Sequence, residues 1–162
     1  MDVFDEELLR FWKNAFDSDL RYIMIGGVAI NLHGYQRTTE DIDIWIEDTK
    51  PNRETLRKVF INYGLGDVKT LIDMDFVAGW TYFHLDNGIR LDIMTSVKGL
   101  TKPFNYYRKL ASVATIYDVD VPFLHINHLI DSKKSANRSK DQLDITELEK
   151  IKKIIEGDRK SD

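Results

Sequence analysis

Two aspartates interrupt an apolar run at Asp41-Ile42-Asp43-Ile44-Trp45-Ile46. Side chains alternate across a strand, so Asp41 and Asp43 share one face, roughly 6–7 Å apart, while Ile42 and Ile44 pack on the other. Two like charges this close repel, and the arrangement makes sense around something positive. A divalent cation held by carboxylate oxygens is the usual answer. A third carboxylate, Asp92, sits between Leu91 and Ile93 in the same setting. Upstream, Gly26-Gly27 follows the apolar Tyr22–Ile25 and opens a helical pattern. Free backbone N–H groups at such a turn make a seat for phosphate, and glycine is required where a side chain would block the approach of a polyphosphate. Each signal alone is common: Gly-Gly makes ordinary tight turns, and Asp-x-Asp arises on any exposed strand face. Together they describe three hard oxygen ligands beside a phosphate seat, a centre for Mg²⁺-dependent phosphoryl or nucleotidyl transfer with two ions bridged by the carboxylates. The G-x-G-x-x-G spacing and the P-loop lysine are both missing, which disfavours dinucleotide-binding and Walker-type sites.

The elements that must position these residues are readable from periodicity. Glu6 to Phe16 carries Leu8, Leu9, Phe11, Trp12 and Phe16 at helical spacing. Arg21 to Ile25 reads as a short strand, and Gly26 to Leu32 as a helix stopped near Gly34. Asp41 to Ile46 is the next strand, followed by a helix that Pro51 starts and Gly64 ends. Val68 to Val77 is ambiguous, with helix as one reading. Trp80 to Met94 places two strand-favouring runs around Asn87-Gly88, a strong hairpin signal. A loop with a short helix fills Lys98 to Ala111, two short strands Ser112 to Leu124, a helix Ile126 to Asn137, and a last helix about Lys140 to Gly157. The expected architecture is α/β (α+β), a single domain over 1–162 with a core at about 20–96 and a strand and helical part at about 100–158. No repeat or linker divides the chain.

The chain has 162 residues with 43% hydrophobic and 31% charged content, ordinary globular usage. No apolar run reaches the roughly 18–20 residues of a membrane span, and Met1 to Phe16 does not read as a signal peptide. These features predict a soluble, cytoplasmic protein that does not engage a membrane. The absence of cysteine excludes disulfides, thiolate zinc sites and a cysteine nucleophile. A net charge of −4 argues against broad nucleic-acid binding. One local exception is KKSANRSKD, Lys133 to Asp141, with four cations and one acid. A solvated helix face is the commoner reading of such a cluster, and a phosphate contact is the alternative.

Gly26-Gly27, thirteen residues, then Asp41-Ile42-Asp43 resembles the signature of the nucleotidyltransferase superfamily that includes DNA polymerase beta. HGYQRTTEDIDI, His33 to Ile44, is similar to the bacterial minimal nucleotidyltransferases and AbiEii-like toxins of abortive-infection systems, as is the late Lys133 with Arg138-Ser139-Lys140-Asp141. The resemblance covers most of the chain. It implies a mixed central sheet flanked by helices, with a helical C-terminal part closing over the nucleotide. By the same resemblance, Asp41 and Asp43 bind two Mg²⁺ ions, and Asp92 binds one and helps deprotonate an acceptor hydroxyl. Gly26 and Gly27 hold the NTP triphosphate, Lys133 contacts phosphate, and Asp141 orients Lys133 or contacts the nucleotide. Arg37 and Thr38 or Thr39 brace the loop before Asp41, with or without touching the nucleotide. The implied activity is NMP transfer from an NTP to a protein, RNA-end or small-molecule hydroxyl, releasing pyrophosphate, possible within a toxin–antitoxin system with a partner protein. The alternative is a non-catalytic nucleotide- or protein-binding module that keeps the fold. Relatives often carry serine after the first glycine; Gly27 has no hydroxyl, so the phosphate contact is expected to rest on the backbone.

Other chemistry-bearing residues read as structural. His125 and His128 lack a third ligand nearby, and capping or surface roles are expected. His33 is expected to make a helix-end hydrogen bond. Trp80, Tyr82 and Phe83 in the hairpin, and Tyr106 and Tyr107, are expected in the core more than stacked on a base.

Overall fold

The computed structural model describes residues 5–76 and 79–161. Met1 at the N-terminus and Val77, the end of the ambiguous segment, lie outside them.

Six strands form one mixed sheet in the order β3-β4-β2-β1-β6-β5. The strands are β1 (Tyr22–Ile25), β2 (Asp41–Ile46), β3 (Trp80–His84), β4 (Arg90–Met94), β5 (Ser112–Ile116) and β6 (Val119–Phe123). The helices are α1 (Glu6–Asp17), α2 (Gly26–Leu32), α3 (Lys50–Tyr63), α4 (Phe104–Leu110), α5 (Ile126–Ala136) and α6 (Asp141–Ser161). Val68 starts only a 3-10 turn over Lys69–Ile72. Such a turn suits a segment flanked by Gly66 and by Asp73 and Asp75, where no apolar stripe is long enough to support an α-helix. No described helix is long and apolar enough to cross a membrane.

Local chemistry accounts for the element ends. Asp5 caps α1 by accepting from the Glu7 and Leu8 amides, and Thr49 caps α3 by accepting from Asn52. Gly64 closes α3 at φ +108, a conformation that costs other L-residues about 1–2 kcal/mol. The β5–β6 turn is Tyr117-Asp118, both at positive φ, the pattern of a two-residue hairpin whose twist matches its strands.

The two faces of the sheet do different work. On one, Tyr22, Met24, Ile42, Ile44, Ile46, Leu91 and Ile93 are all buried. Helices α1 and α3 cover this face, with Trp12 stacked on Tyr22 at 5.7 Å and Phe83 edge-on to Phe60 at 4.8 Å. The other face carries Asp41, Asp43 and Asp92. Here α4 covers only the far end, where Trp45 packs against Phe104 and Tyr107 at 5.3 and 5.4 Å. The near end is left open.

Candidate active site

Register brings the carboxylates together. β2 and β4 run parallel with Asp43 beside Asp92 and Asp41 beside Arg90. β1 runs antiparallel to β2 with Ile25 opposite Asp43. The chain therefore leaves β1 into Gly26 at the level of Asp43. A Cβ on Gly26 would lie 2.1 Å from Asp43 Oδ2 and 2.8 Å from its Cγ, and φ at Gly26 is +70. Only glycine satisfies both demands. The acidic strands and the glycine bend thus form one site, although they come from distant parts of the chain.

That site is one end of a cleft of about 950 Å³ whose lining includes both glycines, the three aspartates and Lys133, a volume suited to a small ligand. Arg37, Lys133 and Arg138 also line this cleft. Lys133 is buried and bound by two carboxylates of α6, Asp141 Oδ1 at 3.0 Å and Asp144 Oδ2 at 3.2 Å. The expected solvated helix face is therefore corrected for Lys133: α6 packs on α5 and supplies the anions that make its burial tolerable. Asp141 is fully buried, bonded to Lys133 and to Arg138 Nε at 2.7 Å. Burial alone would push its carboxyl up, but these two cations outweigh burial and hold it below the usual carboxylate range.

Arg37 pairs with Asp144 Oδ1 at 3.0 Å, without the alignment of a hydrogen bond, and donates to the Thr38 carbonyl at 3.2 Å. Thr39 donates to the Asp41 carbonyl at 3.2 Å, and the two residues brace the approach to β2. Thr39 also fills the space left by the absent side chain of Gly27: a Cβ there would lie 2.6 Å from Thr39 Oγ1. The loop thus places a hydroxyl beside the glycine bend.

The electrostatics are uneven. Asp92 is buried and held by Arg90 through two bonds, Nε to Oδ1 at 2.7 Å and NH2 to Oδ2 at 2.8 Å. Arg90 also approaches Asp41 Oδ2 at 3.6 Å. Asp43 has no ion-pair partner among the described residues, and burial first, then Asp92 and Asp41, push its carboxyl up to about 6. Among the described residues no group of three carboxylates or histidines is placed to close on a metal ion as it stands, and the Arg90 guanidinium lies against two of the three aspartates. The donor chemistry is nonetheless that of a hard divalent ion: three carboxylates on one face of the sheet, one of them without an ion-pair partner among the described residues.

Sequence reasoning missed Arg90, although it lies two residues before Asp92 in one strand and so must share its face. Three aromatic residues expected in the core, Trp80, Tyr82 and Tyr106, are exposed instead. Trp80 and Tyr82 stand on the cleft face of edge strand β3, 38% and 48% exposed, and Phe83 of the same strand turns to the core side. Tyr107 is buried while Tyr106 is exposed. The histidines take structural roles: His33 Nε2 meets the Leu124 carbonyl at 2.8 Å, and His125 Nδ1 caps α5 by accepting from Asn127 at 3.1 Å. His128 packs on Tyr107, with ring centroids 4.9 Å apart.

Comparison with known proteins agrees with this architecture. The structure of the lincosamide antibiotic adenylyltransferase LnuA with lincomycin bound is similar at a TM-score of 0.55 and 19% identity, covering 91% of this chain and 97% of that one. A Thermotoga maritima structure described as a nucleotidyltransferase is similar at a TM-score of 0.54 and 13% identity, covering 94% and 91%. At these identities the likeness establishes a shared nucleotidyltransferase fold. No curated protein matches the chain by sequence. A family model does match over residues 4–156, and by it the chain belongs to the family described as nucleotidyltransferase of unknown function (DUF6036).

Proposed function

We propose that this protein transfers a nucleoside monophosphate from an NTP to a hydroxyl acceptor with Mg²⁺, releasing pyrophosphate. The observation that carries the reading is the register of Asp43 beside Asp92 with Gly26 packed on Asp43, which puts a carboxylate cluster and a glycine bend in direct contact through space. Asp41, Asp43 and Asp92 would hold the two ions. When bound, these ions supply charge neutralisation for the attacking and leaving oxygens.

The protein's own groups account for the rest. Backbone amides at Gly26 and Gly27, with the Thr39 hydroxyl, receive the triphosphate. Lys133, fixed by Asp141 and Asp144, is a point charge for the departing pyrophosphate, and Arg37 and Arg138 extend that positive wall. The acceptor oxygen forms a bond to the α-phosphorus as the α–β bridging bond breaks. The hydroxyl proton passes to Asp92 or to a water beside it, and the electron pair of the broken bond leaves with pyrophosphate. In-line displacement puts the nucleophile opposite the leaving group, so the acceptor enters from the side of β3, past Trp80 and Tyr82.

LnuA, a fold neighbour, is an adenylyltransferase of a small antibiotic, which makes a small-molecule acceptor one candidate. A protein or RNA hydroxyl is another, and the AbiEii-like resemblance extends the reading to a toxin–antitoxin setting with a partner protein. The test is incubation of lysate with α-labelled NTPs, Mg²⁺ and the purified chain, followed by separation of protein, RNA and small-molecule fractions. Label in one fraction that disappears with Asp41→Ala is the expected result. No transfer with any of the four NTPs refutes the reading. Arg90 lying across Asp92 favours a second reading, a nucleotide-binding module that performs no chemistry; calorimetry would then find NTP binding without turnover.

A further inference from the structure

Arg90 meets the acidic cluster as a ligand would. Its two bonds occupy both oxygens of Asp92, and its third contact reaches Asp41 at 3.6 Å. Asp92 is 5% exposed, and a carboxylate that buried is not left without a cation. A divalent ion held by Asp41, Asp43 and Asp92 would draw on the same two Asp92 oxygens and take the same place against them. Two cations cannot share them at contact distance, because their mutual repulsion in a partly dry site far exceeds its value in water. We propose that Arg90 is the resident counter-ion of the triad and that a divalent ion binds by exchange with it. This inference rests on the nucleotidyltransferase reading.

The exchange has a destination on the same face. The guanidinium carbon lies 5.3 Å from the Tyr82 ring centroid and 5.7 Å from that of Trp80, within the range of attraction between a cation and an aromatic face. Both rings stand on an edge strand and are exposed. Releasing Asp92 therefore moves Arg90 toward a surface that already attracts it. The arrangement also explains why Asp92 is paired while Asp43 is not: the protein carries one built-in positive charge for a site designed to hold more.

Mn²⁺ alone, followed by electron paramagnetic resonance and calorimetry on the full chain, tests this exchange. Arg90→Ala is expected to tighten Mn²⁺ binding about tenfold or more, the scale of a bidentate charged contact no longer competing. Arg90→Lys, which cannot occupy both oxygens together, is expected to fall between. Where the variants fold poorly, the wild type decides: the Arg90 Nε–H resonance should shift during a Mg²⁺ titration with the midpoint of metal binding. Unchanged or weaker Mn²⁺ binding in both variants, or an Arg90 resonance unmoved at saturating Mg²⁺, overturns the exchange and leaves the enzyme reading intact. No metal binding by any form, with no transfer activity, overturns both.

Discussion

Replacing Asp43 by asparagine should make the metal-free protein more stable while abolishing the nucleotidyl transfer proposed for it. Burial first, and then the neighbouring Asp92 and Asp41, push the Asp43 carboxyl up from the ordinary 3.8 to about 6. Between those two values the folded state holds the proton more often than the unfolded state does. Stability therefore falls as pH rises through that window, and the full penalty is present above about pH 6. At about 1.4 kcal/mol per pH unit the displacement is equivalent to about 3 kcal/mol at neutral pH, and partial contact with water reduces the expectation to about 2 kcal/mol. Asparagine keeps the shape and drops the charge, and Asp43 gives up no ion pair in the change. Urea melts in chelator at pH 7.5 should show Asp43→Asn more stable by about 2 kcal/mol, or roughly 5 °C in Tm. Near pH 4 the two proteins should converge. Saturating Mg²⁺ should reverse the order, because only the wild type gains from a ligand. A variant no more stable than the wild type at pH 7.5 in chelator would refute the claim that this carboxylate is held against its own stability.

Other outcomes follow from the same geometry. Gly26→Ala should cost about 1–2 kcal/mol for the positive φ alone, and more where Asp43 must rotate away from the new methyl; in an Asp43→Ala background most of that excess should vanish, and an unchanged cost would place the strain elsewhere. Lys133→Met should destabilise by about 3–5 kcal/mol, because it leaves Asp141 and Asp144 buried with one cation fewer; adding Asp144→Asn should recover part of this, and a loss below about 1 kcal/mol in melts would contradict the buried pairing. His33 is held below its usual pKa of 6.5, chiefly by burial, so its contribution to stability is complete above 6.5 and is lost as pH falls toward the folded value. Melts between pH 7.5 and 5 should show a steeper acid loss for the wild type than for His33→Gln, and parallel curves would discount the histidine.

Much of the site could be read because strands have a two-residue period. Alternation alone puts Asp41 and Asp43 on one face of their strand and Asp92 opposite its apolar neighbours in another; that the two strands pair, with Asp43 beside Asp92, is visible only in the fold. The glycine bend and the Asn87-Gly88 hairpin were legible from backbone chemistry that few other residues can adopt. What escaped depends on which element packs where. Whether the lysine cluster faced water or α6 turned on Asp141 and Asp144, three residues apart at the start of a helix whose direction periodicity does not reveal. Trp80 and Tyr82 looked like core because aromatic strands usually are; β3 is an edge strand, and its outer face has no helix to bury it. Arg90 had a readable face but no sign of its partner, since a surface arginine beside an apolar run is ordinary.

Only the opening turns of α6 reach the cleft: Asp141, Asp144, Ile145 and Leu148 are buried, and the helix beyond Lys152 is exposed along its length. One helix therefore has its root in the anions beneath Lys133 and its tip in open solvent about 25–30 Å away. A spin label or fluorophore attached near Asp158 would act as the pointer of a lever, turning small adjustments at that root into displacements large enough to measure.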